Sequence, residues 1–252
     1  MVEKEKPLVT ADDNKDTIVL MVSIGNRNHL TDITYSRMAQ WASRHGYASL
    51  LIKDSLTDKA IAPHFNKLIA HRAAPGFKRY IIIDDDLIMK VGAPAMETVP
   101  DGMVGLCADA IQFNTQAAHV SWTGNTGFIV AGEKAIPLLE EAFENGEYPY
   151  GWSDVGGRGI WGPFDQGAVN DVLFSKARAH QLDWRWNYQA VIDYYANRGK
   201  GWDKWQQSRL YRMLYYASLL NPFSKNKKLL NKCYGLHMTM GSYPKFFARI
   251  HQ

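Results

Sequence analysis

The sequence predicts an α/β fold: a mainly parallel sheet with helices on both faces, followed by a basic, aromatic, mostly helical C-terminal segment. Three observations predict it. Apolar, strand-like runs alternate with helix-period segments through the first ninety residues. The third run, "YIIIDDDLIMK" (80–90), ends in three aspartates, and a strand buried on both faces can carry charge only at its end. The charge also changes sign along the chain. Residues 198–252 hold 11 Lys/Arg against the single acidic Asp203, leaving 18 basic and 24 acidic residues in 1–197.

The elements follow in order. "TIVLMVSI" (17–24) reads as a buried strand, and "YSRMAQWASRHG" (35–46) has helical spacing and a glycine stop. "YASLLIK" (47–53) is the second strand. "PHFNKLIAHRAA" (63–74) is a helix with proline in its first turn, and "RYIIID" (79–84) is the third strand. Strand–helix–strand–helix–strand means parallel pairing with helical crossovers. "GMVGLCAD" (102–109) and "GFIVAG" (127–132) are further strands; "EKAIPLLEEAFENG" (133–146), "FDQGAVNDVLFSKARA" (164–179) and residues 203–220 are helices. Residues 1–16 read as a mobile arm, 17–197 as the core, and 198–252 as a segment completing the same domain.

At 252 residues and 46% apolar, the chain can bury a sizeable core. Cys107 and Cys233 are far apart and read as buried thiols, which fits a reducing compartment. The N-terminus has no signal-type apolar core, and no run is long enough to span a membrane. The expected location is cytoplasmic. Gly-x-Gly-x-x-Gly and Walker-type loops are absent, which argues against a dinucleotide enzyme or an ATPase.

In extended backbone, Asp84 and Asp86 share a face and Asp85 points the other way. Two convergent carboxylates repel, and a divalent cation removes the conflict, Mg²⁺ or Mn²⁺ suiting oxygen ligands. The carboxyl end of a parallel sheet is also where ligands bind. The turn after the first strand holds Ser23, Ile24, Gly25, Asn26 and Arg27, placed to contact a ligand there. A solvated acidic turn, a phosphoesterase, and a glycan- or nucleic-acid-binding protein with a structural cation are the alternatives. A phosphoesterase would want a second cluster of metal ligands, which the sequence does not offer.

"YIIIDDDLIM" resembles the Asp-x-Asp strand end of GT-A glycosyltransferases, which have a Rossmann-like sheet. "NTGFIVA" (125–131) resembles their Asn-x-Gly strand, and "FDQGAVNDVLF" (164–174) their Asp-Gln-x-x-x-Asn helix start. "LHMTMGSYPK" (236–245) resembles the late His-x-x-Gly-x-x-Lys segment, with each spacing one residue longer here. The order matches the retaining glycogenin-like and bacterial lipooligosaccharide galactosyltransferase families, and the yeast and plant galactosyl-/xylosyltransferases. "HFNKL" (64–68) is a looser echo of the last group and brings in Lys67.

The resemblance implies transfer of a hexose from a nucleotide-diphosphate sugar, with retention. It implies Asp84, Asp86 and His237 as ligands of Mn²⁺ or Mg²⁺, and Ser23, Ile24, Gly25, Asn26, Arg27, Asp84, Asp85 and Lys245 on the nucleotide side. Asp165 and Gln166 would be the catalytic pair beside the sugar. Lys67, Asn125, Gly127 and Asn187 would line the donor-sugar pocket. Trp152 and Trp161, in the glycine-rich stretch 151–167, are expected on the acceptor side, where aromatic faces stack on sugar rings.

A UDP-sugar is the favoured donor, with a GDP-sugar as the alternative, and the acceptor is a saccharide or glycolipid. The basic, aromatic tail suits an anionic membrane surface, reached peripherally from its inner face. Nucleic acid is not an expected partner.

Overall fold

The computed structural model describes residues 15–112, 118–147, 161, 164–197, 208–239 and 243–251. Trp152, most of the 1–16 arm and residues 203–207 lie outside the described residues. The chain opens with β1 (Thr17–Val22), α1 (Asn28–Arg44), β2 (Ala48–Ile52), a 3-10 helix (Pro63–Ala73) and β3 (Arg79–Asp84). β4 (Leu87–Met89), β5 (Val104–Ala108), β6 (Gly124–Gly132) and α2 (Ile136–Glu144) follow. Then come α3 (Phe164–Ser175), β7 (Ala179–Leu182), β8 (Tyr188–Gln189) and α4 (Ala190–Asn197). The last elements are α5 (Arg209–Leu220), α6 (Lys225–Lys232), β9 (Gly235–His237) and α7 (Pro244–Ile250).

The main sheet has the order β2-β1-β3-β6-β5-β7. β1 runs parallel to β2 and β3, and β5 parallel to β7, while β6 is antiparallel to both of its neighbours. The mainly parallel expectation holds, with β6 as the reversed strand. Period-2 alternation divides each central strand between two cores. Ile18, Leu20 and Ile82 face Leu68, Ile69 and Phe143 of the 3-10 helix and α2. Val19, Met21, Ile81 and Ile83 face Met38 and Trp41 of α1. Helices therefore cover both faces. The second helix is a 3-10 helix, and the helix expected over 164–179 stops at Ser175, ahead of β7.

A second sheet, β4-β9-β8, was not visible in the sequence pattern. β4 pairs Leu87 with His237, so it joins the strand just past the aspartates to a strand from the C-terminal segment. A third core sits beneath it, where Tyr188, Leu236 and Met238 meet Tyr215, Leu219 and Leu230. Cys107 and Cys233 are buried free thiols, and burial pushes both above their ordinary pKa. No helix among the described residues is long and apolar enough to cross a membrane.

Candidate active site

The site begins where β3 stops. Asp84 is the last residue of β3 and pairs with Val22. Asp85 turns away from Asp84 and Asp86, as expected, but it does not face solvent. It is 7% exposed and accepts from Ser23 Oγ at 2.7 Å and from both Nε and Nη2 of Arg27, the latter at 2.6 Å. Its backbone carbonyl accepts from Thr34 Oγ1 at 2.8 Å. Asp85 thus ties the β1 turn and the start of α1 to the acid block. Arg27 is committed to this fork, and its hydrogen bond to Asp85 raises its pKa. The guanidinium still borders a cleft of ≈ 330 Å³, together with Ile24, His64, Lys67 and all three aspartates.

Asp84 and Asp86 converge on His237. The Nε2 of His237 lies 3.0 Å from Asp86 Oδ1 and 3.9 Å from Asp84 Oδ2. Among the described residues these three form a set whose ligand atoms all lie within 4.8 Å of one another. Two carboxylates and one borderline imidazole nitrogen form a donor set that fits Mn²⁺, or Mg²⁺, with oxygen ligands completing the shell. Burial alone would discharge His237, but the two acids outweigh it and raise its pKa. Burial raises the pKa of Asp84 despite Lys67, whereas His237 draws that of Asp86 down against its own burial. A cation between the carboxylates would relieve their repulsion, and the same two acids draw His237 toward its charged form.

Behind His237 stands a relay of amides. His237 Nδ1 is 2.9 Å from Asn187 Oδ1, and Asn187 Nδ2 donates to Asn125 Oδ1 at 2.7 Å. Asn125 Nδ2 donates to Gln166 Oε1 at 2.9 Å, and Gln166 Nε2 donates to Asp109 Oδ2 at 2.8 Å. Each amide accepts from one side and gives to the other, so the chain has one polarity and ends on a carboxylate. It fixes the ring of His237, with Nδ1–H given to Asn187 and Nε2 turned to the two carboxylates. Burial raises the pKa of Asp109, partly offset by the Gln166 hydrogen bond.

A bulge supplies the bend that the relay needs. Leu106 pairs with Ile129, but the next residue, Cys107, pairs with Asn125. Thr126, Gly127 and Phe128 arch away from β5, which aims Asn125 and Thr126 into the site. A Cβ on Gly127 would lie 2.4 Å from His237 Cε1 and 2.6 Å from Nδ1, so this glycine gives the imidazole its room. We expect Gly127→Ala to displace the ring and to weaken Mn²⁺ binding roughly 10–100-fold, the range for losing an outer-shell support. Calorimetry with Mn²⁺ checks this, and unchanged affinity would refute it.

The chain enters α3 through Phe164, at φ 58, and the next two residues project inward. Asp165 is 6% exposed and accepts from Thr126 Oγ1 at 2.7 Å. Lys67 Nζ sits between Asp84 Oδ1 at 2.7 Å and Asp165 Oδ2 at 2.9 Å, and also donates to the Thr126 carbonyl at 3.2 Å. Burial works against its charge, yet the two carboxylates raise its pKa. A second compartment of ≈ 210 Å³ shares His64, Lys67, Asp84 and Asp86 with the first, and adds Asn125, Gly127, Asp165, Gln166 and His237.

Most expected site residues thus meet in one cleft, but several take other duties. Lys67 is a counter-ion for two acids rather than an open sugar contact. Asn187 stands behind His237 and spends its amide on two neighbours. Trp161 is 8% exposed and stacked on Phe174 at 5.5 Å, so its ring fills the core. Lys245 is exposed on α7 and lines neither compartment. Asn26 is exposed, beside Gly25 at φ 96. Asp109 and His64 were missed. Asp109 ends the apolar run "GLCAD", the same strand-end signal that marks Asp84. His64 gave no signal; burial lowers its pKa, and its Nε2 lies 3.9 Å from Asp165.

No family model matches the sequence, and no curated protein matches it. Solved structures do. A glycosyltransferase involved in glycosylation of the major capsid of PBCV-1 superposes with TM-score 0.60 at 14% identity, over 93% of this chain and 98% of that one. The galactosyltransferase LgtC, bound to donor and acceptor sugar analogs, gives 0.52 at 12% identity, over 93% and 95%. GlyE of Streptococcus pneumoniae TIGR4 gives 0.51 at 10% identity, over 93% of this chain and 60% of that one. At such identities the likeness is one of fold, and the chain has the fold of the GT-A glycosyltransferases.

Proposed function

We propose that the chain is a metal-dependent hexosyltransferase that uses a nucleotide-diphosphate sugar, a UDP-sugar first, with retention at the anomeric carbon. The observation that carries this is the shared cleft. The Asp84/Asp86/His237 set and the fixed amide of Gln166 border one compartment, on a fold common among glycosyltransferases.

In the reaction the bond from the anomeric carbon to the diphosphate oxygen breaks, and a bond to the acceptor oxygen forms. The acceptor proton leaves with the departing phosphate oxygen. Mn²⁺ or Mg²⁺ held by Asp84, Asp86 and His237 would offset the charge that grows on the diphosphate. The β1 turn, with Ser23 and Arg27 locked onto Asp85, shapes the nucleotide compartment. Asp165 would hold sugar hydroxyls. Gln166 has both amide atoms engaged, and its neutral oxygen is a weak nucleophile. This supports a front-face displacement through a short-lived oxocarbenium-like species rather than a covalent adduct. Trp161 being buried, the acceptor is better placed in a third cavity of ≈ 260 Å³, bordered by Asp109, Gln189, Asp193 and the exposed Trp184. A glycolipid acceptor and peripheral attachment at an inner membrane face are part of this reading.

The first test is hydrolysis of UDP- and GDP-sugars with and without Mn²⁺, beside thermal shifts with the free nucleotides. Absence of both would overturn the assignment. Gln166→Ala should retain nucleotide–Mn²⁺ binding and lose roughly a hundredfold in turnover, the scale of one lost electrostatic contact. Equal loss of nucleotide affinity in calorimetry would move Gln166 out of the sugar compartment.

A further inference from the structure

Helix α5 is apolar on two faces, unlike an ordinary surface helix. Its inner face carries Tyr215 and Leu219, buried against the third core, while Leu210, Met213, Leu214 and Leu220 are 58–66% exposed. At 100° per residue these four fall, with Ala217, within an arc of about 120°. Phe223, 84% exposed, extends the stripe past the helix end. Five of the eight large hydrophobics exposed among the described residues lie in this one stretch, so the pattern is a patch and not scatter.

The chain segment that carries the patch holds charge of one sign. Residues 208–251 contain eight Lys/Arg and no Asp or Glu. Arg209 opens the helix, and Lys225 and Lys228 stand exposed on α6, which packs against α5. Ser208 and Ser224 cap the two helices, each accepting from the backbone N–H three residues on. The patch is therefore carried on defined helices.

We propose that α5, Phe223 and α6 form a docking surface for an anionic lipid bilayer, with the leucines, Met213 and Phe223 seated among the acyl chains and the lysines at the headgroups. Charge decides the occupant. A second copy offering the same face would set the lysines and arginines of this segment against their own kind. A nucleic acid would satisfy the cations and leave the aliphatic stripe against phosphate. An anionic bilayer satisfies both parts, as for other interfacial helices. The core beneath α5 includes Leu236 and Met238, the neighbours of His237, so a docked helix would hold the cleft at the membrane. The glycolipid acceptor of the proposed function rests on this surface; the surface itself does not depend on the transfer reaction.

The test is flotation of the full chain with vesicles of phosphatidylcholine, with and without phosphatidylglycerol, at low and high salt. Wild type should partition onto anionic vesicles and only weakly onto neutral ones. The triple variant Leu210→Ser, Met213→Ser, Leu214→Ser should lose at least about tenfold of that partition even at low salt. Lys225→Glu with Lys228→Glu should erase the anionic preference. Phe223→Trp fluorescence should be quenched by brominated acyl chains. Thermal shift by UDP with Mn²⁺ should stay unchanged in all of them, which separates a failure of this surface from a failure of the nucleotide site. The proposal is overturned if the triple variant floats like wild type, or if wild type ignores anionic vesicles at low salt. It is also overturned if the triple substitution instead turns a dimer into a monomer in sedimentation.

Discussion

Asp86→Asn is expected to reduce transfer by about a thousandfold while leaving the fold unchanged. Metal-derived charge stabilisation is worth several kcal/mol of the barrier, and each 1.4 kcal/mol is about tenfold in rate. Asp86 is the cleaner of the two acids to test. An amide in its place can still accept from His237 Nε2, now at 3.0 Å from the carboxylate, but it cannot supply the charge that a cation needs. Asp84 has a second duty as partner of Lys67 at 2.7 Å, so Asp84→Asn would mix a metal effect with a packing effect. The variant's melting temperature should stay near that of wild type without metal, because removing one of two neighbouring carboxylates also relieves their repulsion. The stabilisation that Mn²⁺ with nucleotide gives wild type should be largely lost. Turnover near that of wild type at saturating Mn²⁺ would exclude Asp86 from the metal site.

The legible parts of this protein are those written in periodicity. β1, β2 and β3 are continuous apolar runs, and a run buried on both faces must shed its charge at an end, so the acid pair could be placed with its orientation. The short strands β7, β8 and β9 could not. "AHQL", "YQ" and "GLH" carry no strand signal of their own and form ladders because β5 and β4 offer them edges. The reversal of β6 was equally hidden, since strand direction is set by connections rather than by composition. His237 and Gln166 were reached only through family resemblance, as their neighbours lie 50 and 41 residues away at Asn187 and Asn125. Trp161 shows the opposite error. Its glycine-rich setting suggested a ligand-facing ring, but local composition says nothing about Phe174, the ring on which it stacks. Lys67 was placed in the donor-sugar pocket by resemblance alone, through "HFNKL". The structure spends its charge on Asp84 and Asp165, residues 17 and 98 positions away, and no local pattern encodes that pairing.

That pairing predicts a large stability effect. Lys67 is 5% exposed, and among the described residues its ammonium is the only cation ion-paired to both Asp84 and Asp165. Lys67→Met keeps the aliphatic length and removes the charge, leaving two carboxylates with one buried partner fewer, and Asp86 close by. Removing one member of a buried ion set costs about 3–5 kcal/mol. For a domain of this size each kcal/mol moves the melting point by about 2–4 °C, so a drop of roughly 10 °C is expected near neutral pH. The pH dependence fixes the cause. Without Lys67 the folded-state pKa of Asp84, already raised by burial, rises further above its unfolded value. A carboxyl with a raised folded pKa binds its proton more tightly in the native state. The deficit should therefore grow as pH climbs above the unfolded value near 4 and shrink on acidification. Mn²⁺ should also recover part of the loss, since a cation between Asp84 and Asp86 replaces some of the missing charge. Calorimetric melting of wild type and Lys67→Met at pH 5 and pH 7.5, with and without Mn²⁺, reads all three effects. A variant that melts within about 2 °C of wild type at pH 7.5 would show that the two acids are solvated rather than paired, and the ion-pair account of Lys67 would fall.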